Sequence, residues 1–161
     1  MATPTYDLLD STTLGTAAAS VTFSSISQDY RDLILVTNAY SASDGGATIY
    51  LNGDTGANYS RVRAYGNGST TFSDAGSGRT GMNSVLVWTA NTPNTAIQQI
   101  MDYSTTDKDT TVLSRVNDST DYAAMQANRW DNTAAVTTIE ITSDSGNFST
   151  GSTFALYGIA S

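Results

Sequence analysis

The sequence predicts an all-β protein: a two-sheet antiparallel β-sandwich, jelly-roll-like, with about eleven short strands in one domain over residues 1–161. Composition is the first reason, because 26 threonines, 20 serines and 13 glycines favour strands joined by tight turns. The second is that Glu140 is the only glutamate and Lys108 the only lysine, so strong helix formers are scarce. The third is the regular recurrence of short apolar or alternating runs between turn-forming clusters. The sequence has no internal repeat of about 20 to 50 residues.

Eleven such runs are candidate strands. In chain order they are TYDLLDSTTL, ASVTFSSI, DLILVTNAY, ATIYLN, NYSRVRAYG, NSVLVWT, AIQQIMDY, TTVLSRVN, YAAMQANRW, VTTIEIT and TFALYGI. The clusters between them carry Gly, Asn, Asp or Pro, the residues that tight turns require. Residues 69–81, STTFSDAGSGRTG, are predicted to be the most flexible segment because they offer little to bury.

The candidate strands are of two kinds. In VTTIEIT, Ile139 and Ile141 share one face and Glu140 takes the other, which indicates a half-buried strand with one wet face. Residues 33–36, LILV, are apolar without alternation, and residues 84–88, SVLVW, are similar. Such runs predict central strands covered on both faces, which requires a second layer.

The charge and the missing residue types exclude several functions. The chain has 15 acidic against 7 basic residues and lacks both histidine and cysteine. Disulfides, zinc sites with imidazole or thiolate ligands, and His-based catalytic triads therefore lack their parts. A net charge of −8 argues against nucleic acid or an anionic membrane as partner, since phosphate contacts depend on Lys and Arg clusters. We also expect no cofactor, no transmembrane segment and no conventional secretion signal.

Four blocks of sequence resemble one known family. They are TYDLLDSTTLGTAAASVTFSSIS, YRDLILVTNAY, LNGDTGANYS and GNFSTGSTFALYGI, at residues 5–27, 30–40, 51–60 and 146–159. Together they resemble small β-sandwich virion structural proteins of tailed bacteriophages. The resemblance implies either a capsid decoration (cement) protein or a module of a tail fibre, commonly a homotrimer.

Decoration is the favoured expectation, since the strand signals run from one end of the sequence to the other and leave no long arm for tail attachment. The chain is then a non-enzymatic protein of the outer capsid surface, with copies of itself and the major capsid protein as partners. The alternative is a tail-fibre or receptor-binding module that recognises host-surface polysaccharide.

One candidate interface lies in the run YSRVRAY. If this run is a strand, Tyr59, Arg61, Arg63 and Tyr65 share a face, and two of the seven basic residues lie together there. Tyr and Arg are frequent in binding hot spots, and Arg pairs bidentately with carboxylates. We therefore predict a subunit or capsid contact, at which reversal of both charges weakens binding without unfolding the chain. The competing interpretation is a solvated sheet face with aromatic cross-strand pairs.

The polysaccharide alternative has its own candidate residues. Arg129, Trp130, Asp131 and Asn132 place an aromatic ring beside groups that hydrogen-bond sugar hydroxyls, and Trp88 is a possible second platform. The competing interpretation is that a tryptophan at a strand end belongs to the core or its rim, because it buries so much apolar area.

Asp-rich turns raise the question of calcium. Asn52, Asp54 and Asn58 fall in one turn, and Asp107 and Asp109 in another. Calcium takes six to eight oxygen ligands, and neither turn follows the EF-hand pattern. Asp and Asn also serve turns through their own side-chain hydrogen bonds, so no metal site is predicted. No carboxylate pair stands out for glycoside hydrolysis, and no catalytic residue is assigned.

Overall fold

The computed structural model describes residues 5–160, apart from the side chains of Ser84, Val85, Val87 and Trp88. In that range the chain forms twelve strands and no helix, which confirms the all-β prediction. The strands are β1 (Tyr6–Thr13), β2 (Ser20–Phe23), β3 (Asp32–Ala39), β4 (Gly45–Leu51), β5 (Tyr59–Gly66), β6 (Thr71–Arg79), β7 (Met82–Trp88), β8 (Asn94–Met101), β9 (Thr110–Asp118), β10 (Ala123–Trp130), β11 (Ile139–Ser143) and β12 (Thr153–Ile159). No helix of the described residues is long and apolar enough to cross a membrane.

The strands form two antiparallel sheets that pack face to face as a β-sandwich. The larger sheet has eight strands in the order β1-β12-β3-β8-β9-β10-β5-β6, and the smaller has four in the order β2-β11-β4-β7. Core side chains come from both sheets, and the bulkiest fully buried ones include Phe23, Tyr59, Tyr103, Trp130, Phe148 and Phe154. Alternation is regular in β10, whose inward side chains are all buried and whose outward ones are all exposed.

The strand beyond the eleven predicted is β6, in the segment predicted to be flexible. Its side chains are exposed or half-buried, and its flexibility stays a prediction. A tight turn joins β6 to β5: the Asn67 side-chain oxygen accepts hydrogen bonds from the amides of Ser69 and Thr70, and Gly68 has a φ of 80°. The turn sets Gly66 opposite Thr71 and starts an antiparallel ladder that runs along β5. Pairing with a stable neighbour thus makes a strand of a Gly- and Ser-rich segment whose own β-propensity is low.

The apolar run of β3 is central in the sheet but is not covered on both faces. Leu33 and Leu35 are fully buried in the core, whereas Ile34 and Val36 are only half-buried on the opposite face. No second layer covers that face in the described part of the chain, because the four-stranded sheet lies on the other side. In the similar run of β7, residues 84–88, only the side chain of Leu86 is described, and it is buried.

Candidate interaction surface

The face of β5 predicted to be an interface points into the protein. Strand alternation does place Tyr59, Arg61, Arg63 and Tyr65 on one side, but Tyr59 is 1% exposed and Arg61 is 6% exposed. The Tyr59 hydroxyl donates to the Asp54 carbonyl at 3.0 Å and accepts from the Leu51 amide at 3.1 Å. Burial raises the pKa of Tyr59 to about 12. These side chains therefore belong to the interior and its margin.

The two arginines of this face are paired inside the chain. Arg61 Nη2 lies 3.0 Å from Asp74 Oδ1, and Arg63 Nη2 lies 2.5 Å from Asp74 Oδ2. Arg61 Nη1 donates to the Asn83 carbonyl at 2.9 Å, and Arg63 Nη1 donates to the Tyr122 hydroxyl at 3.3 Å. Burial acts to raise the pKa of Asp74, but its hydrogen bond to Arg63 and the two guanidinium charges outweigh this and lower it.

This pairing reverses the expected effect of charge reversal at Arg61 and Arg63. A glutamate at position 61 would lie in a buried site next to Asp74. With both arginines replaced, neither carboxylate would have a guanidinium to pair with, and burial of unpaired charges is strongly unfavourable. Reversal is thus expected to unfold the chain, and a contact of Arg61 with another protein would require the sandwich to open.

Trp130 is also an interior residue. Its ring is 1% exposed and stacks on Tyr59, with 6.5 Å between ring centroids. Its Nε1 donates to Asp54 Oδ2 at 2.7 Å, and the same carboxylate accepts from Asn58 Nδ2 at 2.9 Å and the Gly56 amide at 2.8 Å. These bonds, that of Trp130 first, lower the pKa of Asp54. The indole therefore presents no free face on which a sugar ring could stack.

The remaining candidates for a glycan site lie at the end of β10. Arg129 Nη2 is 2.9 Å from Asp131 Oδ2, and Arg129 Nε is 3.4 Å from Asp109 Oδ2. Asn132 Oδ1 accepts from the backbone amide of Ala134 at 2.9 Å. Arg129 and its two aspartates are thus bound to one another. The side chain of Trp88, the possible second platform, lies outside the described residues.

The Asp-rich turns use their oxygens within the chain. Asn52 Oδ1 accepts from the amides of Thr137 and Thr138 at 2.8 and 3.1 Å, so it ties its turn to the segment before β11. Asp54 has the three donors already described. Across residues 5–160, no group of three or more acidic side chains is placed to hold a metal ion.

The surface that the sequence did not predict is the outer face of the eight-stranded sheet, which is the side away from the four-stranded sheet. Strand register aligns its side chains in rows that cross the sheet. One central row, from β5 to β1, is Val62, Ala127, Leu113, Gln99, Ile34, Tyr157 and Leu8. The row beside it is Ala64, Met125, Arg115, Ile97, Val36, Ala155 and Ser11.

The two central rows are largely apolar and well exposed. Met125 is 67% exposed, Val62 63% and Leu8 57%. The face is concave, with an open groove of about 930 Å³ lined by side chains such as Val36, Ile97 and Met125. The row that flanks it on one side is mostly polar: Ala123, Asn117, Thr95, Asn38, Thr153 and Thr13. An exposed apolar centre with a polar border is the anatomy of a binding surface.

A signal for this surface was present in the sequence. Residues 33–36 are apolar at every position, and the outward positions of β9 and β10 include Leu113, Met125 and Ala127. From sequence alone, the run of residues 33–36 predicts a second covering layer. In the structure the apolar side chains of the outer face have no cover within the described chain.

Comparison with known proteins assigns the chain to no family. No protein-family model matches the chain, and no curated protein matches it. A PL-14 alginate lyase from Aplysia kurodai has a TM-score of 0.32 and 9% identity, over 83% of this chain and 72% of the lyase. An exo-inulinase from Aspergillus awamori has a TM-score of 0.35 and 13% identity, over 96% of this chain but 29% of the inulinase.

Proposed function

We propose that the chain is a non-catalytic structural protein of a tailed-phage virion, namely a capsid decoration protein at the outer capsid surface. Its partners are the major capsid protein and further copies of itself in a homotrimer. The observation that carries the proposal is the outer face of the eight-stranded sheet, where Val62, Leu113 and Met125 are exposed in a continuous apolar surface. Monomers rarely leave such a surface in water unless it binds something.

The chemistry of the outer face favours a protein partner over polysaccharide. The centre of the face is lined by aliphatic side chains such as Val36, Ile97 and Met125, with tyrosines only towards β1. Sugar sites rely on aromatic platforms and dense hydrogen-bond donors, whereas apolar packing against a complementary protein surface needs aliphatic side chains. The tail-fibre alternative loses Trp130 as a platform, since its ring is buried.

The charge distribution suits a protein repeated over a particle surface. The two central rows of the outer face contain no acidic residue, although the chain has fifteen. Turns such as those of Asp54, Asp121 and Asp144 carry much of the negative charge. One face can then bind the shell while the loops carry a charge that repels neighbouring particles within about a Debye length, ~8 Å at physiological salt.

Binding to purified capsids tests the proposal. We expect the chain to bind saturably and to appear by cryo-electron microscopy on the outer shell. Met125→Glu combined with Val62→Glu is expected to abolish binding without unfolding, because both side chains are mostly exposed. Thr95→Glu, at an exposed position of the flanking polar row, is the matched control and should still bind. Density only on the tail, or full binding by the double variant, would contradict the proposal.

A further inference from the structure

Arg115 is the one charged residue in the two central rows of the outer face. It lies on β9 between Met125 of β10 and Ile97 of β8, its partners in strand register. Within residues 5–160 its guanidinium has no ion pair within 4 Å and no hydrogen bond. A cation therefore stands unpaired in the middle of an apolar surface.

Three other arginines of the same sheet have ion pairs, whereas Arg115, like Arg79 of β6, has none within the described residues. Arg61 and Arg63 share Asp74, and Arg129 contacts both Asp109 and Asp131. Arg115 differs from Arg79 in its place, because it stands among the exposed apolar side chains of the two central rows, which contain no acidic residue. Any partner that covers the outer face removes water from this guanidinium, and burial of an unpaired charge is strongly unfavourable. An occupant that brings a carboxylate to this point offsets that cost.

The shape of the groove argues against a second copy as occupant. Two copies joined through the same face would set one concave surface against another and leave an unfilled space between them. They would also bring two Arg115 guanidinium groups into one dry layer with no acid in the central rows to separate them. A convex rod fits better, and an α-helix with its side chains is a cylinder about 10–12 Å across.

We infer that the groove binds an amphipathic α-helix of another protein, with aliphatic side chains towards the outer face and one carboxylate opposite Arg115. This is the helix-in-groove mode of recognition, in which apolar anchors supply affinity and the charge pair fixes register. The inference rests on the proposed function only in taking the helix to be part of a virion protein, since the groove and its cation are features of this chain alone.

A methyl NMR titration tests the inference without requiring the natural partner. The probe is a synthetic amphipathic peptide of about four helical turns, ~14 residues, with leucines on one face and one glutamate among them. A matched peptide carries glutamine instead. Of the chain's methionines, Met125 lies on the outer face at 67% exposure and Met82 lies in the core at 1%. Met125 reports binding, and Met82 is the internal control.

We expect a saturable shift of the Met125 methyl, an unmoved Met82 methyl, and about tenfold tighter binding of the glutamate peptide. Arg115→Gln should make the two peptides equal in affinity. Arg129→Gln, which alters an exposed arginine already paired with Asp109 and Asp131, should leave the tenfold preference in place.

Three results would overturn the inference: no saturable Met125 shift, equal affinity of the two peptides for the unaltered chain, or a Met125 shift caused by the chain's own dimerisation. The capsid-binding experiment tests the proposed function independently of the peptide titration. Peptide binding without capsid binding would refute the decoration proposal and support the helix-binding groove. Capsid binding without a preference for the glutamate peptide would support decoration and refute the helix-binding groove.

Discussion

Replacement of Arg61 by methionine tests whether the buried charge cluster holds the sandwich together. Methionine preserves much of the apolar stem and removes the guanidinium group. In the folded chain that group is 5% exposed, lies 3.0 Å from Asp74 and donates to the Asn83 carbonyl at 2.9 Å. The variant would leave the carbonyl without this donor and Asp74 with Arg63 as its remaining cation.

The expected loss follows from this geometry. Breaking a buried ion pair typically costs about 3–5 kcal/mol. Asp74 is 32% exposed and keeps Arg63, so water and the second arginine offset part of that cost. We expect the free energy of unfolding to fall by about 2–3 kcal/mol. At roughly 2–4 °C per kcal/mol for a chain of this size, Tm should fall by about 4–12 °C.

Urea unfolding followed by circular dichroism measures the change. The matched control is Arg129→Met, because Arg129 also contacts aspartates but its side chain is 51% exposed. An exposed pair contributes at most about 1 kcal/mol, so the control should change little. A loss below about 1 kcal/mol for Arg61→Met, or equal losses for both variants, would refute the structural role assigned to the cluster.

Two further predictions concern Asp54 and β6. Trp130→Phe removes the largest cause of the lowered Asp54 pKa, so that pKa should rise towards 3.8. A carboxyl whose pKa is lowered in the folded chain stabilises the fold above pH 3.8, and this stabilisation is lost as pH falls through the folded pKa. The variant should therefore lose less stability on acidification than the unaltered chain. An unchanged carboxyl titration by NMR would contradict this. In hydrogen exchange, β6 amides should be protected more than those of residues 67–70 but less than those of β9, which has neighbours on both sides. Exchange at the rate of an unfolded peptide would contradict the pairing of β6 with β5.

The period of two in the sequence identified most strands and the residues that share a face. Ile139 and Ile141 are both buried, as the alternation predicted. Alternate residues of β5, namely Tyr59, Arg61, Arg63 and Tyr65, do lie on one side of the strand. Alternation says which residues lie together but not which side is covered. Alternation alone therefore predicts a surface position for Arg61, whereas the structure buries it against Asp74, thirteen positions away in the chain.

Composition and periodicity by themselves determined the all-β class and the positions of eleven strands, because local backbone preference and side-chain alternation act within a few residues. They also determined that imidazole and thiol chemistry are absent. Only the tertiary structure decided that β6 is a strand, that Arg61 and Trp130 are interior, and that Arg115 stands alone on an apolar face. The physical reason is that pairing, burial and charge partners depend on residues distant in sequence, and only the packing of two sheets brings those residues together.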